Sequence, residues 1–262
     1  MELKQRLANN EVVIGMMLSE LYTPNLARLL QSCGFEYLLV DCEHGYFDRS
    51  QVANLIAVAD GISLPIWVRI GQHSQSEIVK YLDMGARGVL LANVEGVAEA
   101  LELTQLCLYA PDGERGVSTF RAHTGYHNGD MNAVFGEANR RTTVIVQIES
   151  PHAVANALDI LAVPGVDGAL IGPNDLTQHL GIIGQYGHPD IQYAIRQVSA
   201  AARTCGKWSG VITGNDDLMR DCQQAGMNCF CTGSELSALA AGATNQHRKV
   251  SEYLRHLERT SA

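Results

Sequence analysis

Short apolar runs alternate along this chain with stretches in which apolar residues recur every third or fourth position. The first pattern is that of a buried strand and the second that of an amphipathic helix. Val12 to Leu18 reads as a strand, followed by a helix from about Pro24 to Cys33 that Thr23 is placed to cap and Gly34 to end. The strand pattern returns at Tyr37 to Val40, at Ile66 to Ile70 after Pro65, and at Val89 to Ala92 after Gly88. It returns again at Val144 to Ile148, Ala169 to Ile171, Trp208 to Ile212 and Cys229 to Thr232. Helices are expected between these runs over 49–59, 76–84, 97–107, 191–205 and 216–224, and another through Val154, Ala157, Leu158 and Leu161. The stretch 109–141 is the exception, being long, polar and rich in Gly, Arg, His and Asn. About eight strand-helix units with short connections imply a parallel sheet with right-handed crossovers, and fit a closed (β/α)8 or TIM barrel of the α/β class better than a doubly wound sheet. Residues 1–262 are therefore expected to form one barrel domain, with a helical segment over about 237–262 at its C-terminal end.

In such a barrel ligand chemistry belongs at the C-terminal ends of the strands, and several of these runs end on polar groups. Val144 to Ser150 is the clearest. With the strand period of two, Ile145, Gln147 and Glu149 share one face, while Val144, Val146 and Ile148 share the other. Ser150 and Pro151 then start a helix as N-cap and first helical residue, which leaves Glu149 at the junction. The run ending at Ile171 breaks at Gly172-Pro173-Asn174 and delivers Asp175 in the same way. Two carboxylates on successive strand ends offer hard oxygen ligands, and with waters and a bidentate substrate they complete an octahedron suited to magnesium or manganese, with cobalt or zinc as further options. The alternative is that they cap helices or pair with arginines.

Arg69 closes Ile66-Trp67-Val68, where a guanidinium either points into the barrel mouth, matching a carboxylate or an enolate oxygen, or forms a structural ion pair with Asp41 or Glu43. Asp41, Glu43 and His44 crowd one strand end, and a histidine oriented by a carboxylate is a usable proton acceptor near neutral pH. The four lysines, Lys4, Lys80, Lys207 and Lys249, fall at no predicted C-terminal strand end, so Schiff-base chemistry is not expected.

Composition narrows the class. The chain is 46% apolar and 18% charged, which is globular, and no run reaches the roughly 18 apolar residues of a membrane span. A formal charge of −9 with scattered Lys and Arg argues against a nucleic-acid partner. Seven cysteines, odd in number and without a CxxC pair, read as free thiols of a reducing cytoplasm rather than disulfides or zinc ligands. The start Met-Glu-Leu-Lys-Gln-Arg-Leu lacks an apolar signal core, so the expected location is cytoplasmic.

Asp41-x-Glu43-His44-Gly45, the strand ending in Arg69, Leu82-Asp83-x-Gly85-Ala86-x-Gly88-Val89, Gly113-x-Arg115-Gly116-Val117, Val146-Gln147-Ile148-Glu149 and Gly165-Val166-Asp167-Gly168 through Ile171-Gly172-Pro173-x-Asp175-Leu176 together resemble the HpcH/HpaI aldolase family, in order over about 12–235. The resemblance implies a class II, metal-dependent pyruvate aldolase, making or breaking 2-keto-4-hydroxy acids from pyruvate and an aldehyde. It implies that Glu149 and Asp175 hold the cation, that Arg69 faces the developing enolate, and that His44 with Asp41 moves protons through water. Gln147 and the turn Gly172, Pro173, Asn174 and Asp175 would bind pyruvate, the turn through backbone donors. It also implies a homo-oligomer, a hexamer built as a trimer of dimers, to which the polar stretch and the C-terminal helix contribute.

The chain departs from the family pattern at Leu91-Ala92-Asn93-Val94 and at Tyr109-Ala110-Pro111. Ser118, Thr119, Arg121, His123 and His127 could recognise an acidic or hydroxylated aldehyde, or form a solvated loop. Two rival readings share the barrel: a lyase acting on an acyl-CoA thioester, which would want a basic surface, and a non-catalytic oligomeric barrel binding a small acid.

Overall fold

The computed structural model describes residues 2–72, 74–126 and 129–260. Eight parallel strands close into a barrel in sequence order: β1 (Val13–Leu18), β2 (Tyr37–Asp41), β3 (Ile66–Ile70), β4 (Gly88–Leu91), β5 (Thr143–Ile148), β6 (Gly168–Ile171), β7 (Trp208–Ile212) and β8 (Cys229–Ser234). Around them run α1 (Leu3–Ala8), α2 (Leu26–Ser32), α3 (Arg49–Asp60), α4 (Gln75–Asp83), α5 (Val97–Cys107), α6 (Met131–Arg141), α7 (Pro151–Ala155), α8 (Ala157–Ala162), α9 (Pro173–His179), α10 (Pro189–Thr204), α11 (Asp216–Gln224) and α12 (Glu235–Thr260).

Alternation along the strands sorts the apolar residues into two cores. Val40, Val68, Val89, Val144, Val146 and Ile148 face outward, into the layer beneath the helices. Tyr37, Leu39, Trp67, Leu90, Ile145 and Leu170 face inward and fill the barrel with Trp208 and Cys229. Leu3 and Leu7 of α1, one helical turn apart, join this inner core, so that the first helix plugs the barrel floor. Trp67 stacks on Trp208 at 5.8 Å between ring centroids and lies 4.2 Å from Tyr37. Gly168 makes room for this aromatic layer, since a Cβ there would stand 2.2 Å from the Trp208 ring.

Three elements differ from the expected pattern. The polar stretch 109–141 contains a real helix, α6, whose Gly136 and charged residues mask its periodicity. The helix after Ser150 is two short helices broken at Asn156, whose side-chain amide donates to the Glu95 carbonyl at 3.0 Å. Thr23 does not cap α2, which begins at Asn25 without a side-chain cap. Ser150 does cap α7, accepting from the Ala153 amide at 3.0 Å with Pro151 following. All seven cysteines are free thiols. No described helix is long and apolar enough to cross a membrane.

Candidate active site

Continuing the inward alternation by one step past the aromatic layer replaces Leu39, Trp67 and Ile145 with Asp41, Arg69 and Gln147, and the next inward position on β5 is Glu149. The polar site is thus the top layer of the barrel interior, at the C-terminal strand ends. Asp41 and Arg69 are direct partners in the β2–β3 register. Arg69 grips Asp41 with a fork, Nε donating to Oδ1 at 2.9 Å and Nη2 to Oδ2 at 2.6 Å, and Nε lies 3.3 Å from Glu43. Both members of the fork are buried. Burial by itself would raise the Asp41 carboxyl, but Arg69, supported by the His44 and Glu43 amides, outweighs it and holds the group below its ordinary value.

Glu149 is 2% exposed. Its Oε1 accepts from the Asn93 amide at 2.6 Å, and its Oε2 accepts from the Gln147 side-chain amide. Burial pushes Glu149 up to about 7, with Asp175 and Glu43 pushing the same way against the two amide donors. Glu43 is likewise raised, by burial first and then by Asp41 and Asp175 against the pull of Arg69 and His44. Three carboxylates therefore feel one another across the mouth. The ion pairs of Arg69 go to Asp41 and Glu43, while Glu149 takes its hydrogen bonds from amides. Gln147 Oε1 is buried without a hydrogen-bond partner beside this group.

The donor chemistry suits a small divalent cation: two hard carboxylates, Glu149 and Asp175, stand in each other's field with an orphaned amide oxygen alongside. Among the described residues no group of three or more His, Cys, Asp or Glu forms a full protein cage. Such a two-carboxylate arrangement leaves positions for water and substrate, which is the habit of magnesium.

The structure revises one pairing. Asp41 meets His44 through the backbone amide at 3.2 Å, while the imidazole, largely exposed, lies 3.9 Å from Glu43. Asp41 is committed to Arg69, so the carboxylate beside the histidine ring is Glu43. Sequence reasoning also passed over Asn93, which it noted only as a departure. Asn93 adopts φ 54, a left-handed conformation that asparagine tolerates, and this turn aims its amide at Glu149 and its side chain at Glu43, 3.3 Å away. A polar residue tolerant of positive φ at the end of β4 was the available signal.

The polar stretch after Gly116 lies elsewhere. It joins the end of α5 to the start of β5, both at the N-terminal face of the barrel, opposite the mouth. Arg115 bonds Asp83 at 2.6 Å and stacks over Tyr109, and the Tyr109 hydroxyl meets His123 Nε2 at 2.9 Å. The described part of this stretch therefore lies at the face opposite the mouth of its own chain; His127 lies outside the described residues.

The profile of the HpcH/HpaI aldolase/citrate lyase family matches residues 15–241. A hydroxypyruvate/pyruvate aldolase of Roseobacter denitrificans is 34% identical over 239 residues, 90% of this chain and 91% of that protein. A 5-keto-4-deoxy-D-glucarate aldolase of an Enterobacter species is 34% identical over 234 residues, 89% of this chain and 90% of the relative. The crystal structure of an HpcH/HpaI aldolase from Desulfitobacterium hafniense superimposes with a TM-score of 0.90 at 31% identity, covering 96% of this chain and 97% of the other. With the polar top layer and all of the barrel but the first two residues of β1 inside the matched region, the chain belongs to the HpcH/HpaI aldolase/citrate lyase family.

Proposed function

We propose that this protein is a divalent-metal-dependent aldolase that forms or cleaves the bond between pyruvate and an aldehyde in 2-keto-4-hydroxy acids. The observation that carries the reading is the meeting of Glu149 and Asp175 at the barrel mouth with a buried, permanently charged Arg69 across from them. The names of the pyruvate and deoxy-glucarate aldolase relatives point the same way.

In this reading Glu149 and Asp175 hold Mg2+ or Mn2+. The cation supplies Lewis acidity toward the pyruvate carbonyl. The turn at Gly172 and Pro173 presents the backbone amides of Asn174 and Asp175, the first-turn donors of α9, to the pyruvate carboxylate. Pro173 has no amide hydrogen and sets the turn instead. Gln147 orients Glu149 and offers its free oxygen to the ligand set. His44, exposed beside Glu43, takes a proton from the pyruvate methyl group through water, and the resulting enolate carbon attacks the aldehyde carbonyl. One carbon-carbon bond forms, the aldehyde oxygen gains a proton, and no electrons are exchanged with a third reactant. Arg69, with Asp41 fixing its plane, offsets the negative charge that develops on the enolate. Exposed Leu239, Val250, Tyr253, Leu254 and Leu257 on α12 support assembly as a homo-oligomer.

The test is exchange of the pyruvate methyl protons in heavy water, followed by proton NMR with added magnesium or manganese and again after chelation. Metal-dependent exchange is expected. Absence of exchange with every metal would overturn the reading.

A further inference from the structure

Glu149 stands one residue beyond β5, which ends at Ile148, so its backbone lies outside the strand itself. The Gly172 amide donates to the Ile148 carbonyl at 3.1 Å and joins β5 to the start of α9. One residue further on, the Glu149 carbonyl is met by a side chain, the His179 imidazole, whose Nδ1 is 2.9 Å away. A carbonyl only accepts, so Nδ1 is the protonated nitrogen of this pair. His179 is the last residue of α9, and Asp175 lies in the first turn of the same helix.

This is not the usual employment of a histidine in a last helical turn. Such a ring commonly serves the final carbonyls of its own helix, whereas His179 serves a carbonyl 30 residues earlier in the chain. Side chains on a helix lean toward its N-terminus, and residues four apart share a face, so Asp175 and His179 project from one side of α9. The opposite end of the helix also rests on Glu149: a Cβ at Gly172, the N-cap, would stand 2.4 Å from Glu149 Oε2. Glu149 therefore meets α9 twice, through its carboxylate at one end and through its carbonyl at the other. The helix has 7 residues, too few to hold its shape alone in water, and of these only Pro173, Leu176 and Thr177 are buried. The carboxylate of Glu149 has its own ties, to the Asn93 and Gln147 amides, but these come from the end of β4 and from β5 and do not involve α9. The bond from His179 is the side-chain contact that ties the helix bearing one carboxylate to the backbone bearing the other.

We propose that His179 is a positioning residue for the cation site: its Nδ1–H bond to the Glu149 carbonyl sets the separation of Glu149 and Asp175, and with it the affinity for the divalent ion. The inference rests on the metal-dependent aldolase reading. His179 acts through Glu149 and is not itself a ligand. Groups that orient metal ligands from outside typically carry about tenfold to a hundredfold of the affinity.

The experiment compares His179→Asn with His179→Leu in the full-length protein. The two replacements match each other in shape, but the Asn side-chain amide carries an N–H where imidazole has Nδ1–H, and Leu carries none. Calorimetric titration with Mn2+ should place the Asn variant within about threefold of the parent and the Leu variant weaker by about tenfold or more. Equal weakening in both variants overturns the proposal, because the donor is then not the cause. Thermal unfolding of the metal-free proteins accompanies the titrations: a merely structural bond would lower the midpoint of the Leu variant and leave its Mn2+ affinity at the parent value, which also overturns it. Nitrogen NMR of the metal-free parent, with the His179 signal assigned by its loss in the Asn variant, tests the bond itself. The neutral ring should carry its proton on Nδ1, and a proton on Nε2 overturns the proposal with no metal present. Pyruvate methyl exchange, run alongside, separates the failures: Mn2+ affinity that follows the donor without exchange removes the aldolase reading and keeps the role of His179, whereas a parent that binds no Mn2+ removes both.

Discussion

Gly172→Ala isolates the contribution of Glu149 with the smallest possible change. Gly172 has φ −95 and ψ 90, extended backbone that alanine adopts without strain, so the whole effect is steric. A Cβ there would lie 2.4 Å from Glu149 Oε2, 2.6 Å from Gln147 Nε2 and 3.1 Å from Glu149 Cβ. Relief to ordinary contact requires the carboxylate and amide to retreat by about 1 Å. Overpacking of this kind costs about 1–3 kcal/mol of stability, which leaves a domain of this size folded. A 1 Å misplacement in a reacting constellation costs about a hundredfold in rate, or about 2.7 kcal/mol in barrier. Turnover of pyruvate with an aldehyde, Mn2+ affinity by calorimetry and thermal unfolding would be measured together. The expected result is a folded variant with weakened Mn2+ binding and about a hundredfold lower kcat. Gly61→Ala serves as a control, because its Cβ meets nothing closer than 3.5 Å and its φ is −63. Gly172→Ala turning over within about threefold of the parent would refute Glu149 as a ligand, since 3 is far below the factor expected from a 1 Å shift.

Arg69→Ala should cost more than about tenfold in turnover, or about 1.4 kcal/mol in barrier, and a smaller loss would demote the guanidinium to positioning. It should also destabilise by about 3–5 kcal/mol, because Asp41 is then buried without its partner, and adding Asp41→Asn should restore stability but not turnover. The depressed Asp41 carboxyl contributes stability that is fully present above its unfolded value of about 3.9 and is lost as pH falls through its lower folded value, so Asp41→Asn should flatten the acid side of a denaturation profile below about pH 4. Gly168→Ala should lower the unfolding free energy by about 1–3 kcal/mol or more and perturb tryptophan fluorescence, since its Cβ would sit against Trp208; an unchanged denaturant midpoint would contradict the packing described.

The barrel was legible because a parallel strand buried on both faces is apolar throughout, and because its helices alternate with it at a regular interval. Trp208–Ile212, Val97–Cys107 and Asp216–Gln224 end where the pattern ends. Helix α6 was not legible, because its 11 residues include Gly136 and Arg140 and bury little. Helix α1 was missed because two leucines are too few to reveal a period, although they plug the barrel. At the strand ends, the period of two sets the inward face of Asp41, Arg69 and Glu149, whereas Asp175 lies in the first turn of α9 and was found from the break at Gly172-Pro173. Which carboxylate Arg69 would choose depends on register, and the β2–β3 pairing sets Asp41 opposite it. Asn93 and Glu235 act through backbone amides, one as donor and one as acceptor, and such contacts leave no mark in side-chain periodicity.

The charges in the mouth argue for a cation independently of any relative. Arg69 pairs with Asp41 and also reaches Glu43, while Glu149 is held by amides alone; burial first, and then the neighbouring carboxylates, pushes Glu43 and Glu149 up. Pyruvate is an anion, and its enolate carries a second negative charge, so it would enter a site that repels it more strongly at each step. On the proposed reading, a divalent ion held by Glu149 and Asp175 would offset the charge of both carboxylates and make the site attractive to an anion. Arg69 would then face a substrate whose charge grows during reaction, and because the guanidinium stays protonated while bound to Asp41, its position is set beforehand.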